Sequence, residues 1–74
     1  MKNFLFDQEY FIDIWEDYIH VFGIIDIELL EEHKIILVLE KFSFIIEGLQ
    51  FRVLKLTKNE ILVQGVLEKV MVKR

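Results

Sequence analysis

The chain has 74 residues, a formal net charge of −4 and a hydrophobic fraction of 54%. A chain this short suits one domain, and on folding it buries only about 60% of the surface that the unfolded chain exposes. So high an apolar fraction excludes a disordered polymer. The absence of cysteine excludes disulfides, thiolate metal sites and thiol nucleophiles.

The first nine residues are predicted to form an N-terminal arm, loose or briefly helical, ahead of a single β domain over residues 10–74. The apolar run Phe4-Leu5-Phe6 is too short for the core of a secretion signal. The longest uncharged stretch covers residues 18–25, well below the roughly 20 residues of a membrane-spanning helix. We expect a soluble, cytoplasmic protein without a transmembrane segment. Peripheral attachment to a membrane is compatible with this pattern.

The segment over residues 10–15 fits two periodicities. Tyr10, Ile12 and Ile14 alternate with the residues between them, as in a strand. A helical spacing also connects apolar side chains here, namely those of Phe11, Ile12, Trp15, Ile19 and Phe22. Of the two interpretations, we predict a strand.

Short apolar segments separated by polar breaks make up the rest of the chain. We predict strands at residues 18–22, 24–29, 34–39, 42–46, 49–56, 61–64 and 66–72. Connections this short favour antiparallel pairing, because a parallel return needs about a dozen residues of crossover. The predicted fold class is all-β: an antiparallel meander of about six to eight short strands rolled into a small sandwich or barrel-like sheet.

A weak internal repeat accompanies these segments. Residues 44–49 are echoed by residues 61–66, so that Gly48 and Gly65 lie 17 positions apart, and a looser copy surrounds Gly23. We predict that these glycines supply positive φ angles for turns or bulges at the corners of the sheet.

Most predicted strands are apolar on both faces, and the strand at 34–39 is the clearest case. Its two sides carry Ile35, Leu37 and Leu39 on one and Ile36 and Val38 on the other. A single open sheet leaves one side uncovered, and the absence of proline removes a common protection of edge strands. The pattern predicts contact with a protein partner or self-association through apolar strand faces and edges, and we expect a homo-oligomer.

Charge divides the chain into two unlike halves. Residues 1–32 carry nine acidic residues and one lysine, a net charge of −8, whereas residues 33–74 have a net charge of +4. The preferred interpretation places acidic and basic strands beside each other in one sheet, where facing opposite charges each contribute about 0.2 to 1 kcal/mol. The alternative is docking of the acidic end of one copy on the basic end of the next, which forms rings or filaments.

Few side chains could support catalysis. His20 and His33 are 13 positions apart and fit no metal-ligand pattern, so we interpret both as solvated, with His33 held by carboxylates in an acidic turn. Ser43 lacks a nucleophile elbow. We predict no catalytic, cofactor-binding or metal-binding residue, no cofactor and no enzymatic activity.

Acidic residues beside an aromatic ring superficially resemble a sugar-cleaving site. They are Asp13, Glu16 and Asp17, next to Trp15. A domain of this size has little room for the required cleft. We therefore interpret the acids as solvated strand ends and Trp15 as a core residue.

Nucleic-acid binding is the strongest competing function, because small β folds bind single strands through basic grooves and exposed aromatic rings. The residues that could serve are Arg52, Lys55 and Lys58 with Phe42, Phe44 and Phe51. The net charge of −4 opposes such binding, since an acidic surface repels phosphate. No nucleic-acid partner is expected.

From about residue 19 to residue 72 the chain resembles the YabP/YqfC family of endospore-formation proteins. The most specific part comprises the glycine-containing segments 44–49 and 59–66, with segment 51–56 between them. The chain departs from the family at Asp26 and Phe42, where glycines are usual, and at Gly23-Ile24, where an asparagine-histidine pair is usual. The family has no catalytic motif to transfer. The resemblance implies a divergent member that helps to build the spore, in the mother cell or at the spore envelope.

The pattern and the resemblance together predict a non-enzymatic structural or assembly protein that acts in endospore formation through protein–protein contacts. The alternative is a small β binding module for an unknown ligand, with single-stranded nucleic acid among the candidates.

Overall fold

The computed structural model describes residues 10–74. All regular secondary structure in this part of the chain is β-strand. It contains no helix that could cross a membrane. The strands are β1 Phe11–Ile14, β2 Tyr18–Phe22, β3 Asp26–Leu30, β4 Lys34–Val38, β5 Ser43–Leu56 and β6 Glu60–Lys73. All pair antiparallel in one sheet of order β1-β2-β6-β5-β4-β3, which is not closed into a barrel. The predicted all-β class is confirmed, and the predicted arm over residues 1–9 lies outside the described residues.

The strands β5 and β6 are longer than the sequence pattern predicted. Each has 14 residues, so the separate strands expected on either side of Gly48 and of Gly65 are wrong. The β5–β6 ladder shifts register between Glu47 and Gly48 and at two further points. Such bulges absorb an irregularity without ending the strand, so a glycine that resembles a break in the sequence lies within a continuous element.

The long β5–β6 hairpin is shared by two halves of the sheet. In the first layer, residues 60–64 of β6 lie between β2 and residues 52–56 of β5, and β1 flanks β2. In the second layer, residues 43–47 of β5 lie between β4 and residues 69–73 of β6, and β3 flanks β4. Inner side chains of both layers form one core, namely Ile19, Val21, Ile24, Ile35, Leu37, Leu39, Phe44, Ile46, Phe51, Ile61 and Val63. The sheet therefore folds over itself in the middle of the hairpin.

The two layers are related by an internal two-fold repeat. The pair His20↔Leu62 in the first layer corresponds to Ile36↔Ile45 in the second, and the neighbouring pairs follow the same register. Backbone hydrogen bonds repeat as well: the Gly65 N–H donates to the Asp17 carbonyl at 3.0 Å, and the Gly48 N–H donates to the His33 carbonyl at 3.1 Å. The weak repeat seen in the sequence therefore reflects two layers built to one pattern.

The corner glycines are required for close approach rather than for a positive φ angle. A Cβ on Gly48 would collide with a backbone carbonyl oxygen of β6, and a Cβ on Gly65 would lie 2.6 Å from the Phe51 ring. Within residues 10–74, positive φ angles occur at Gly23 (101°) and Gln50 (57°). The prediction of a positive φ angle is confirmed at Gly23 and wrong at Gly48 and Gly65.

Candidate functional site

The outer faces of the two layers are candidate functional surfaces, because the inner side chains of β2, β4 and residues 43–47 and 60–64 are buried in the core. In each layer, one row of outward-facing residues crosses four strands. The two rows occupy equivalent positions in the internal two-fold repeat. In the first layer this row is Asp13, His20, Leu62 and Lys55. In the second layer it is Leu29, Ile36, Ile45 and Met71, which we call the apolar row. The fold is thus the same at both rows, and the chemistry differs.

The apolar row is not a requirement of the fold. The same ladder position in the first layer carries an acid, an imidazole and an amine, so the backbone accepts polar side chains there. All four members of the apolar row keep part of their surface exposed. A contiguous apolar band on an outer sheet face is typical of a surface that another protein covers.

The long strands contribute open edges in addition to those of β1 and β3. Among residues 10–74, residues 52–56 of β5 have a strand partner only on the β6 side, and residues 69–73 of β6 have one only on the β5 side. Apolar side chains are exposed along both segments, namely those of Val53, Leu54, Leu56, Val70 and Val72. Open edges with apolar side chains can pair with another chain.

The unlike charges of the two halves lie at opposite edges of each layer. The acidic half supplies β1 to β3 and the basic half supplies β4 to β6, so acidic and basic strands are neighbours as expected. Within residues 10–74, however, the ion pairs made by lysine are Lys34–Glu47 at 3.7 Å and Lys55–Glu60 at 3.5 Å, both inside the basic half. In the described part of the chain, the carboxylates on the edge strands β1 and β3 make no ion pair with lysine or arginine.

A polar network lies on the outer face of the first layer. The Nε2 of His20 lies 2.6 Å from Oε2 of Glu60, and Nζ of Lys55 lies 3.5 Å from Oε1 of the same carboxylate. The hydrogen bond from His20 holds the pKa of Glu60 below its ordinary 4.5, with the Lys55 charge adding to the effect and desolvation opposing it. An ionised carboxylate only accepts, so His20 donates. The His20 side chain is 21% exposed, which corrects the expectation of a solvated residue, because β2–β6 pairing brings Glu60 to it.

We expect Glu60 to contribute to the loss of stability in acid. Because its pKa is lower in the folded state, the ionised carboxylate stabilises the fold above pH 4.5, and this stabilisation disappears as the pH falls through the lower folded-state pKa. Glu60→Gln should therefore lower the free energy of unfolding at neutral pH and flatten its decline in acid. Urea unfolding across pH measures this, with Glu47→Gln at the exposed Lys34 pair as the control. Identical pH profiles for Glu60→Gln and the wild type would contradict the expectation.

The other residues singled out from the sequence lie apart from this network. His33 lies in the β3–β4 turn, 3.5 Å from Glu31, as predicted. Trp15 is 53% exposed in the β1–β2 turn, so its prediction as a core residue is wrong. The turn closes through a backbone hydrogen bond of 2.8 Å from the Trp15 N–H to the Tyr18 carbonyl. The acids are exposed, as expected, although Asp13 lies within β1 and Glu16 and Asp17 lie in the β1–β2 turn rather than at strand ends.

Metal and nucleophile chemistry gain no support from the geometry. Among residues 10–74 no three histidine, aspartate or glutamate side chains are grouped to hold a metal ion. Ser43 begins β5, paired with Val38 and Lys73 rather than with a histidine.

The aromatic rings considered for nucleic-acid binding are mostly enclosed. Phe44 and Phe51 belong to the core, and Phe42 packs edge-on against Tyr10 with ring centroids 5.1 Å apart. The basic residues of this group remain exposed on β5 and in the β5–β6 turn. Buried rings cannot stack on bases, so the combination that single-strand binding uses is not assembled by these residues.

Comparison with known proteins adds no restriction on the function. No family model matches the chain, and no curated protein or solved structure shows significant similarity to it. The outer faces and open edges therefore carry the functional argument.

Proposed function

We propose that the chain is a non-enzymatic assembly protein of endospore formation that acts through protein–protein contacts. The observation that carries the contact function is the apolar row of the second layer, because three of the four equivalent positions in the first layer carry an acid, an imidazole and an amine. Apolar surface that the fold does not require is a characteristic of protein interfaces. The spore setting is supported by the resemblance to the YabP/YqfC family alone.

The energetics favour covering this row. Removing about 100 Å² of apolar surface from water contributes about 2.5 kcal/mol. A domain of this length has a total stability of only about 4 to 11 kcal/mol. A partner on the second layer would therefore stabilise the fold appreciably as well as build an assembly.

The test uses Ile45 and Leu62, which occupy equivalent positions of the internal two-fold and are both partly exposed. We expect disruption of the gene in its own host to lower the count of heat-resistant spores. Ile45→Lys at the chromosomal locus should lower it too, because a charge in the apolar row opposes desolvation. Leu62→Lys is the matched control and should leave the count near that of the wild type.

Two results would contradict this proposal. A disruption strain with normal spore counts would remove the role in spore formation. Equal counts for Ile45→Lys and the wild type, with both proteins present at the same level, would show that the apolar row is not the working surface.

A small β binding module for a negatively charged ligand is the second candidate function. The open β5 edge favours it, because Arg52 and Lys55 project from it and Lys58 lies in the adjoining turn. Binding of a single-stranded oligonucleotide at low salt, weakening as salt is raised, would support this function. The absence of any mobility shift at low salt would remove nucleic acid as the ligand.

A further inference from the structure

The outer face of the second layer carries two more rows besides the apolar row. On one side of it, the pairing aligns Asp26, Val38, Ser43 and Lys73 from β3 to β6. On the other side, it aligns Lys34, Glu47 and Lys69 from β4 to β6. The face therefore has an apolar centre between two charged margins, which is the usual anatomy of an interface.

We propose that this face is the interface of a symmetric dimer and that its occupant is a second copy of the chain. The inference rests on the proposed contact function and names the partner. The two-fold axis runs between β4 and β5, roughly parallel to the strands. Rotation about it lays β4 of one copy over β5 of the other, and β3 over β6.

The apolar row is complementary to itself about this axis. Ile36 of one copy meets Ile45 of the other, and Leu29 meets Met71, each contact occurring twice because the interface is isologous. Aliphatic side chains of similar volume face each other at every position of the row. The four residues of the row therefore bring no polar group to the centre of the interface, and the Glu28 carboxylate lines the same concavity together with Lys73 and Arg74.

The charged margins are complementary about the same axis. Asp26 on β3 meets Lys73 on β6, and Lys34 on β4 meets Glu47 on β5. An axis perpendicular to the strands would instead bring Lys73 close to Lys69 of the other copy. The pairing of opposite charges therefore favours the axis that is parallel to the strands. These charges determine the register of the two copies and contribute less to the affinity than the apolar row does.

The dimensions of the face set the expected strength. Four strands spaced about 4.8 Å apart make a face about 19 Å wide, which belongs to the small, reversible class of interfaces. We expect a dissociation constant of roughly micromolar order.

Sedimentation of the full chain over a range of about 1 to 500 μM tests this dimer. We expect the wild type to pass from monomer to dimer and to stop at two copies. Ile45→Lys should raise the dissociation constant at least about tenfold, because each dimer then buries two ammonium groups near the axis. Leu62→Lys, at the equivalent position of the first layer, should dimerise as the wild type does.

A charge exchange at the margin is a second test that leaves the apolar row intact. Asp26 and Lys73 are both exposed, so substitutions there leave the core unchanged. Asp26→Lys and Lys73→Asp should each weaken the dimer about fivefold, and the double variant should restore it.

Several outcomes would overturn the dimer. They are a monomer at every concentration, a mass that rises beyond two copies through edge-to-edge chains, equal effects of Ile45→Lys and Leu62→Lys, and failure of the double charge variant to recover. A monomeric wild type combined with few heat-resistant spores in the Ile45→Lys strain would leave the proposed function standing with a different partner. Normal spore counts after gene disruption would remove the spore role and leave the dimer intact.

Discussion

Phe51→Ala is expected to lower the free energy of unfolding by about 3 to 5 kcal/mol, the range for truncating a buried aromatic residue. Phe51 is 7% exposed, and its ring lies over both corner glycines. Ring atoms lie 2.8 Å from where a Cβ of Gly48 would be and 2.6 Å from where one of Gly65 would be. The ring therefore fills the space that the two missing side chains leave open. A loss of this size approaches the whole stability expected of so short a chain.

Urea unfolding of Phe51→Ala measures the loss, and two variants serve as controls. Phe51→Leu keeps most of the buried volume and should cost under about 1.5 kcal/mol. Phe11→Ala removes an aromatic ring that is 37% exposed on the edge strand β1 and should cost much less than Phe51→Ala. Similar losses for Phe51→Ala and Phe11→Ala would show that the ring is not central to the core.

Phe51 also marks a departure from the internal two-fold. The offset of 17 positions that relates Gly48 to Gly65 places Glu68 in the role of Phe51, and Glu68 is exposed. One ring therefore serves the corners of both strands. The ring is close to both glycines, and the obstacles differ because a Cβ on Gly48 also collides with a β6 carbonyl oxygen, whereas the backbone oxygens near Gly65 are 3.0 Å or more away.

Local pattern was sufficient to predict the short strands. The predicted strand at 18–22 has the bounds of β2, and the strand predicted at 34–39 exceeds β4 by one residue. These segments are bounded by polar or glycine residues that do end a strand. In β5 and β6 the same residue types accompany bulges, which continue the ladder, and a sequence does not distinguish the two cases.

The features that could not be predicted from the sequence depend on pairing between strands that are distant in the chain. His20 and Glu60 are 40 positions apart, and their hydrogen bond exists because β2 pairs with β6. The apolar row combines residues from four strands, so no window of sequence contains it. The repeat held one usable signal, since its offset of 17 positions aligns Ile45 with Leu62, which do occupy equivalent positions on the two outer faces. The family resemblance stays a prediction.

Gly48→Ala is expected to cost about 3 kcal/mol, at the upper end of the range for overpacking. The added Cβ would collide with the carbonyl oxygen of Val66 and lie 3.0 Å from its carbonyl carbon. These atoms belong to the β6 backbone, so the substitution can be accommodated only by separating the strands at the corner. Gly65→Ala meets mainly the Phe51 ring, at 2.6 Å, with two backbone oxygens of β5 at 3.0 Å or more. A ring can shift more readily than a paired strand, so Gly65→Ala should cost less.

The combination of each alanine variant with Phe51→Leu separates these two causes. A smaller side chain at position 51 removes the principal obstacle to a Cβ on Gly65, so the double variant should be more stable than the sum of the two single losses predicts. The carbonyl of Val66 remains in place whatever occupies position 51, so Gly48→Ala should gain little from the same change. Equal rescue of both glycine variants in urea unfolding would contradict the assignment of the Gly48 obstacle to the backbone. It would instead show that the Phe51 ring is the main obstacle to a Cβ at both glycines.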